Sequence, residues 1–224
     1  MQTRAGRAAR TASAGRPHTT AGRGPARLPT GERRDQIAEA ALKILAERGG
    51  RHFTAQALAA EVGVSDGALF RHFDSLEQVI GAAIDRVEAI LFADFPPADA
   101  DPLARLGRFF QQRIAAMSAH PYLSHLLFSD DLAQVAGERG AARMVEFKRR
   151  SIQFVRACID EARQRRLLAD GLDPEAATTI VVGSLMALAQ RRGGGGPGAA
   201  APLEQKVWTT VERLLRRRPK TGKG

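Results

Sequence analysis

Residues 54–73 read TAQALAAEVGVSDGALFRHF, a pattern that predicts two short helices joined by a tight turn. Thr54 can cap the helix that follows it, and Gly63 lies where the chain must leave that helix in a left-handed conformation. Ser65 can cap a second short helix, because its oxygen can accept hydrogen bonds from free backbone N–H groups. The small Ala59 permits a close helix crossing. An apolar wedge between the two helices is formed by Leu58, Val62, Val64 and Leu69. Two short helices joined by a glycine turn are typical of proteins that place one helix in the major groove of DNA.

Helical periodicity continues on both sides of this stretch. Apolar residues recur at helical spacing from residue 37 to residue 45, and Gly49-Gly50 ends that helix. Later helices are predicted over residues 55–62, 66–72, 75–92, 101–120, 121–128, 138–168, 173–192 and 203–217. Because strand-like alternation is nearly absent, we expect an all-α fold of about nine helices. It comprises a three-helix helix-turn-helix head over residues 30–92 and a larger helical body over residues 101–218.

The net charge of +10 is concentrated at the two ends of the chain. Residues 1–29 contain six arginines and no acidic residue, and residues 213–224 contain six basic residues and no acidic residue. We expect residues 1–29 to be a disordered basic arm and residues 219–224 a basic tail, since neither has apolar periodicity. The glycine-rich residues 193–202 predict a flexible connection between two helices. Such charged ends either keep a chain soluble or bind nucleic acid.

Several classes of protein find no support in the sequence. The single cysteine, Cys158, excludes an internal disulfide framework. The basic N-terminal stretch lacks an apolar signal segment, and residues 176–190 are too few to span a bilayer, so we expect a cytoplasmic protein without membrane contact. No phosphate-binding glycine loop, nucleophile elbow or carboxylate pair is present, which argues against an enzyme or a cofactor site. A metal site is not expected either, because helical spacing does not bring together His120, His125, Asp130 and Asp131.

Residues 64–77, VSDGALFRHFDSLE, closely resemble the TetR family of bacterial repressors. The helix that ends at Gly49 and the pairs Phe53-Thr54 and Leu58-Ala59 match that family in order and spacing. The resemblance is specific over residues 31–92. Beyond them it rests on the number of helices and on a fragment near residues 120–130.

This resemblance implies that the head binds double-stranded DNA and that the body binds a ligand and forms a homodimer through its last two helices. It also implies repression at a palindromic operator, relieved by a small, mainly apolar molecule. Carried over by position, the residues that face DNA are Ser65, Gly67, Ala68, Arg71 and His72, and Thr54 contacts a phosphate. The full set of expected DNA contacts adds Arg33, Arg34, Asp66 and Phe70.

Two positions depart from the family pattern. Phe70 stands where the family usually has a tyrosine whose hydroxyl contacts a phosphate, and Leu76 stands where it usually has a lysine. Residues 30–92 contain seven basic and ten acidic residues, which is unfavourable for a surface that binds phosphates. We therefore expect the arginines of the basic arm to follow the minor groove or the DNA backbone.

The candidate ligand contacts are Phe110, Arg113, Met117, Phe147, Ser151, Phe154 and Met186. Apolar stripes more often form core than pocket, and Ser151 can simply bond to a backbone carbonyl of its own helix. Arg113 is either exposed or, if buried, suited to an acidic group of a ligand. The expected dimer contacts are Ile180, Gly183, Leu185, Ala187, Val207, Val211, Leu214 and Leu215.

Two other functions compete with a ligand-responsive repressor. One is a structural or cell-division regulator that binds scattered chromosomal sites and acts through a protein partner. An apolar pocket in the body favours the repressor, whereas a filled core favours this alternative. The other is an enzyme, which would require a catalytic triad or a metal cluster in the body.

Overall fold

The computed structural model describes residues 29–129, 131–192 and 201–217, and every regular element within them is helical. This confirms the all-α prediction. The ten α-helices are α1 (Thr30–Arg48), α2 (Ala55–Val62), α3 (Asp66–Leu69), α4 (Leu76–Leu91), α5 (Pro102–Ala119), α6 (Tyr122–Phe128), α7 (Asp131–Val135), α8 (Gly137–Gln164), α9 (Pro174–Arg192) and α10 (Ala201–Leu215). The predicted basic arm up to residue 28, residues 193–200 of the predicted connection and the predicted tail lie outside the described residues.

The turn between α2 and α3 follows the local signals in the sequence. The Thr54 hydroxyl oxygen accepts a hydrogen bond from the Ala57 amide at 3.1 Å, and the Ser65 hydroxyl oxygen accepts one from the Ala68 amide at 3.2 Å. Gly63 adopts the left-handed conformation, with φ 71° and ψ 39°. A residue with a Cβ is strained in that conformation, so the glycine is what lets the chain turn from α2 into α3.

Two helices end earlier than predicted, and α7 was not predicted at all. Helix α3 stops at Leu69, because the amides of Arg71 and His72 bond to carbonyls three residues back, which tightens the chain into a turn. Helix α8 stops at Gln164, because Arg166 adopts a left-handed φ of 56° shortly afterwards. The short helix α7 follows α6 closely and packs against α8.

Two groups of buried side chains form the core. The first holds α1 to α4 together and extends to α6, α7 and α8. The second lies between α5, α8, α9 and α10. Helix α1 packs against α6 as well as against α4, so the first of these cores is shared by head and body. None of the described helices is both long enough and apolar enough to cross a membrane.

Helix α10 is held on the body by Trp208, which packs against the backbone of α5 at Gly107. A Cβ added at Gly107 would lie 2.8 Å from the indole ring, whereas a Cβ added at Gly81 in α4 would meet nothing within 4 Å. We expect Gly107→Ala to lower the free energy of unfolding by about 1–3 kcal/mol through overpacking. Gly81→Ala should raise it by about 0.5–1 kcal/mol, because alanine loses less backbone entropy in a helix. Urea unfolding of both variants measures the difference, and equal effects would contradict the close packing of Trp208.

Candidate DNA-binding surface and ligand cavity

Helix α3 presents a short exposed surface that is anchored from below. Leu69 and Phe73 are buried in the head core. The residues Ser65, Asp66, Gly67, Phe70 and Arg71 are exposed, while Ala68 and His72 are half-buried. A Cβ at Gly67 would meet nothing within 4 Å, so this part of the surface is open to close approach by a large partner. The exposed phenyl ring of Phe70 offers apolar contact where the family's usual tyrosine would offer a hydroxyl.

Most cations of the head are engaged within the chain. Lys43 and Arg48 both pair with Glu61, at 2.9 and 3.0 Å. Arg33 donates a hydrogen bond to the Gln36 side chain at 2.6 Å. Arg34 donates to the His72 carbonyl, and its guanidinium lies 4.1 Å from the centre of the Phe73 ring. Arg34 therefore braces the segment that follows α3 and is less available to DNA than its position in the sequence suggested.

Two arginines of the head, unlike these cations, are unpaired among the described residues. Among the described residues, the side chains of Arg51 and Arg71 have no hydrogen-bonding or ion-pairing partner, and both are exposed. Arg71 directly follows α3, whereas Arg51 lies in the turn after α1, where the adjacent Gly50 approaches Val135 of α7. The free cation beside the α3 surface is therefore Arg71.

The body contains a cavity of about 210 Å³. It is lined by the last residue of α4 and by residues of α5, α6, α8 and α9. Five of the seven predicted ligand contacts line it, namely Arg113, Met117, Phe147, Ser151 and Met186. The other two do not: Phe110 packs on Trp208 with ring centres 5.2 Å apart, and Phe154 packs on Phe95 with ring centres 5.0 Å apart.

The cavity has further lining residues that were not predicted from the sequence, namely Leu91, Phe109, Leu127, Lys148, Ile152, Val155, Val182 and Leu185. Part of this set had a signal in the sequence. Positions 109, 113 and 117 are four residues apart and share one face of α5, as positions 147, 151 and 155 do on α8. Phe110 is turned by one residue from that face, which directs it towards α10. No pattern along the chain could show that the ends of α4 and α6 meet these faces.

Arg113 is buried, with 5% of its surface exposed. It donates hydrogen bonds to the Leu91 carbonyl at the end of α4 and, at 3.1 Å, to the Ser151 hydroxyl. That hydroxyl in turn donates to the Phe147 carbonyl at 2.9 Å, as serines within helices often do. Burial, together with the nearby charge of Arg150, lowers the pKa of Arg113 to about 10. The cavity therefore has a charged group that also contacts α4, the last helix of the head.

A polar network joins head and body through α1, α4 and α6. Glu39 of α1 accepts hydrogen bonds from Tyr122 of α6 at 2.5 Å and from Arg86 of α4 at 3.2 Å. Burial by itself would raise the pKa of Glu39, but these two hydrogen bonds together with the electrostatic effect of Arg86 and His120 outweigh it and hold the pKa below its usual value. His120 lies 3.0 Å from the Tyr122 hydroxyl.

The candidate metal ligands lie in two separate places. His120 belongs to the Glu39 network, whereas His125 pairs with Asp131 at 3.0 Å. Asp130 lies outside the described residues. Within the part of the chain that the structure describes, no three His, Cys, Asp or Glu side chains are grouped as they would be around a metal ion.

The predicted dimer contacts fall into two groups. Leu185, Val211 and Leu215 are buried in the second core, and Val207 packs partly against it. These four positions stabilise the single chain, because α10 turns its apolar face towards α5 and α9. Exposed positions in the predicted set are Ile180, Gly183, Ala187 and Leu214. Only this exposed group is available to a second copy of the chain.

Known proteins resemble the chain in sequence. Residues 37–83 match the family described as bacterial regulatory proteins, tetR family. Nucleoid occlusion factor SlmA of Mannheimia succiniciproducens is 30% identical over 196 residues, which are 82% of this chain and 87% of that protein. The HTH-type transcriptional repressor KstR2 of Mycobacterium tuberculosis is 29% identical over 109 residues, covering 47% of this chain and 54% of that repressor.

Solved structures share the whole fold at lower identity. The ketosteroid transcriptional regulator KstR2 of Mycobacterium tuberculosis superposes with a TM-score of 0.69 and 20% identity, over 83% of this chain and 96% of that one. The transcriptional regulator FadR of Bacillus subtilis, solved in complex with stearoyl-CoA, has a TM-score of 0.61 and 16% identity, over 80% and 97% of the two chains. With the helix-turn-helix of α2 and α3 ahead of an all-helical body, and with a relative of this similarity aligned over most of its length, the chain belongs to the TetR family of DNA-binding transcriptional regulators.

Proposed function

We propose that this protein is a cytoplasmic repressor that binds a palindromic operator as a homodimer and is released by a small, mainly apolar molecule bound in the cavity of the body. One observation carries the proposal: the cavity lies at the C-terminal end of α4, the last helix of the head. Leu91, the last residue of α4, lines the cavity, and Arg113 bonds to its carbonyl. A ligand that differs in affinity between two positions of α4 would shift the DNA-binding equilibrium.

Similar proteins support this assignment. KstR2 is named a transcriptional repressor, and FadR of Bacillus subtilis was solved with an acyl-CoA molecule bound. The cavity walls of this chain are largely apolar, as expected of a site for a molecule with a hydrocarbon body.

The DNA contacts are assigned to α3 and the residues beside it. Few side chains on and beside α3 are exposed, so we assign the base contacts to those near Arg71. We assign the phosphate contacts to Thr54 and to the basic arm. Arg33 and Arg34 remain candidates for phosphate contact, although each has an intramolecular partner. His72 accepts a hydrogen bond from Arg34 at its carbonyl, which holds the backbone that follows α3.

Arg71→Ala tests the contact with bases. We expect the affinity for the selected operator to fall by about 1–3 kcal/mol, the usual worth of a good base contact, with a smaller loss on random DNA. Arg51→Ala removes an equal charge from an exposed arginine on another part of the head, so it should leave the specificity ratio unchanged. Fluorescence anisotropy with both DNAs measures the ratio. Equal losses on both DNAs for Arg71→Ala would mean that Arg71 only positions the protein.

Release by a ligand is tested on the operator that the purified protein selects from random DNA. The neutral apolar probe N-phenyl-1-naphthylamine should bind the free protein and weaken its operator binding. Val182→Phe narrows the cavity without touching the head, so this variant should bind the operator normally and respond less to the probe. A probe that binds in the cavity without altering operator affinity would contradict ligand release.

A second candidate function is favoured by one comparison. SlmA, a nucleoid occlusion factor, is 30% identical over most of this chain. In this alternative, the protein binds many scattered chromosomal sites and acts through a protein partner. Mapping the bound sites in cells by chromatin immunoprecipitation distinguishes the two: a few sites near promoters support the repressor, and many sites far from promoters support the alternative.

A further inference from the structure

Arg113 is the one charged side chain that is buried among the described residues. Its hydrogen-bond acceptors there, the Leu91 carbonyl and the Ser151 hydroxyl, are both uncharged. The rings of Phe92 and Phe109 lie 4.7 and 4.8 Å from the guanidinium. The other charge that acts on Arg113 is that of Arg150, which is also positive. The guanidinium therefore has no counter-anion among the described residues.

Two acidic residues of α4, the helix that Arg113 contacts, are already paired with other cations. Glu88 and Asp85, both on α4, accept hydrogen bonds from Arg143 at 2.8 and 2.7 Å. Arg150 reaches Glu88 as well, at 3.7 Å, and its guanidinium stacks 4.0 Å from the centre of the Phe92 ring. These acids lie on the outer side of α4 with their own cations, and none of them lines the cavity.

Arg113 remains protonated at neutral pH although it is buried. Desolvation and the repulsion from Arg150 lower its pKa to about 10, which still leaves the guanidinium protonated. An ion buried without a partner is unfavourable unless further groups neutralise it and use its hydrogen bonds. A guanidinium has five N–H donors, more than the two acceptors described here can use.

The cavity lining is mostly apolar, and its ionisable residues are cationic. Ten of its thirteen lining residues are apolar, and the remaining three are Arg113, Ser151 and Lys148. Both ionisable residues are cationic, and no acidic residue is present. The volume, about 210 Å³, is several times the share of a single water molecule, which is about 30 Å³. An apolar wall with cationic groups suits a molecule that has a hydrocarbon body and an acidic group.

We propose that the cavity binds an amphipathic organic anion, a molecule with an apolar body and a carboxylate that pairs with Arg113. This inference rests on the proposed effector function and specifies the chemical class of the effector. A neutral acceptor would use the free N–H donors but would not neutralise the charge, whereas a carboxylate does both in the two-pronged geometry that guanidinium favours. Ser151, hydrogen-bonded to Arg113, helps to hold the guanidinium in place.

Three probes with the same eight-carbon body and different head groups test this inference: octanoate, 1-octanol and octylamine. Isothermal titration calorimetry of the full chain at neutral pH should show octanoate binding at least about tenfold more tightly than 1-octanol, as a hydrogen-bonded ion pair out of water provides. Octylamine should bind most weakly, because its charge is repelled. In Arg113→Gln the affinities for octanoate and 1-octanol should agree within about twofold.

The matched control is Arg108→Gln. Arg108 lies on α5 too, but it is exposed, pairs with Asp99 and does not line the cavity. Its removal changes the net charge equally and should leave the preference for octanoate intact. Arg113→Lys, which keeps the charge and loses the planar geometry, should retain part of the preference. If the Arg113 variants do not fold, the order of the affinities of the three probes for the unaltered chain still tests the preference for an anion.

The possible outcomes separate the two proposals. If 1-octanol binds as tightly as octanoate, the cavity is a ligand site but its anion preference is refuted, and Arg113 is only a structural link to Leu91. If neither probe binds, the anion assignment and the ligand cavity of the proposed function both fail. If Arg108→Gln abolishes the preference as fully as Arg113→Gln does, general charge rather than Arg113 is responsible, and the pairing is wrong.

Discussion

Deleting residues 1–29 is expected to flatten the salt dependence of DNA binding by several units of slope per dimer. Each phosphate neutralised contributes about −0.9 to the slope of log affinity against log salt, and two arms bring twelve arginines. The head cannot replace them, because residues 30–92 contain more acidic than basic residues and most of its cations are paired within the chain. Anisotropy titrations at several salt concentrations measure the slope, and at low salt the affinity should fall by orders of magnitude.

A length-matched control separates charge from chain length. Replacing the six arginines of the arm with glutamine should reproduce the deletion, while the circular dichroism spectrum and the sedimentation coefficient should show an unchanged fold and dimer. Base discrimination should decrease less than affinity, unless the arm reads a narrow minor groove. An unchanged slope would mean that the arm serves only solubility. Phosphate contact would then rest on Thr54, Arg33, Arg34 and helix N-termini.

Leu214→Asp is expected to convert a dimer into monomers and to abolish tight operator binding. The Leu214 side chain on α10 is 57% exposed in the single chain, so a charge there costs little until a second copy covers it. An unpaired charge buried in an interface costs about 3–5 kcal/mol, which is enough to separate the subunits at micromolar concentration. A monomer meets one half-site instead of two, so operator binding should fall far more than binding to a single half-site.

The choice of residue matters in this experiment. Val211, on the same helix, is only 4% exposed and lies in the second core, so Val211→Asp would unfold the body and reveal nothing about assembly. Gln153→Asp introduces the same charge at an exposed position on a different helix, α8, and should leave the dimer intact. Sedimentation velocity measures the outcome, and a Leu214→Asp protein that remains dimeric would place the interface elsewhere.

Sequence patterns determined the parts of this protein that depend on neighbours along the chain. Thr54, Gly63 and Ser65 act on amides within three residues of themselves or on their own backbone angles, so their roles could be predicted and the structure shows the caps and the turn. The longer helices beyond the head were predictable for the same reason, because the periodicity of apolar residues repeats within each of them, whereas the five-residue α7 is too short to show it. Their ends were less certain where, as after Leu69 and Gln164, the chain turns without a glycine.

Which helix faces meet depends on the packing of the whole chain and could not be predicted from local patterns. Leu91 and Leu127 line the same cavity because the ends of α4 and α6 converge on α5, and no local pattern encodes that residues 36 positions apart meet the same space. The same packing buries Arg113 and places Phe110 against Trp208. It also buries Val211 in the core and leaves Leu214 exposed. On an amphipathic helix, neighbouring apolar positions look alike in sequence, and the rotation of the helix against its partners determines which of them are buried.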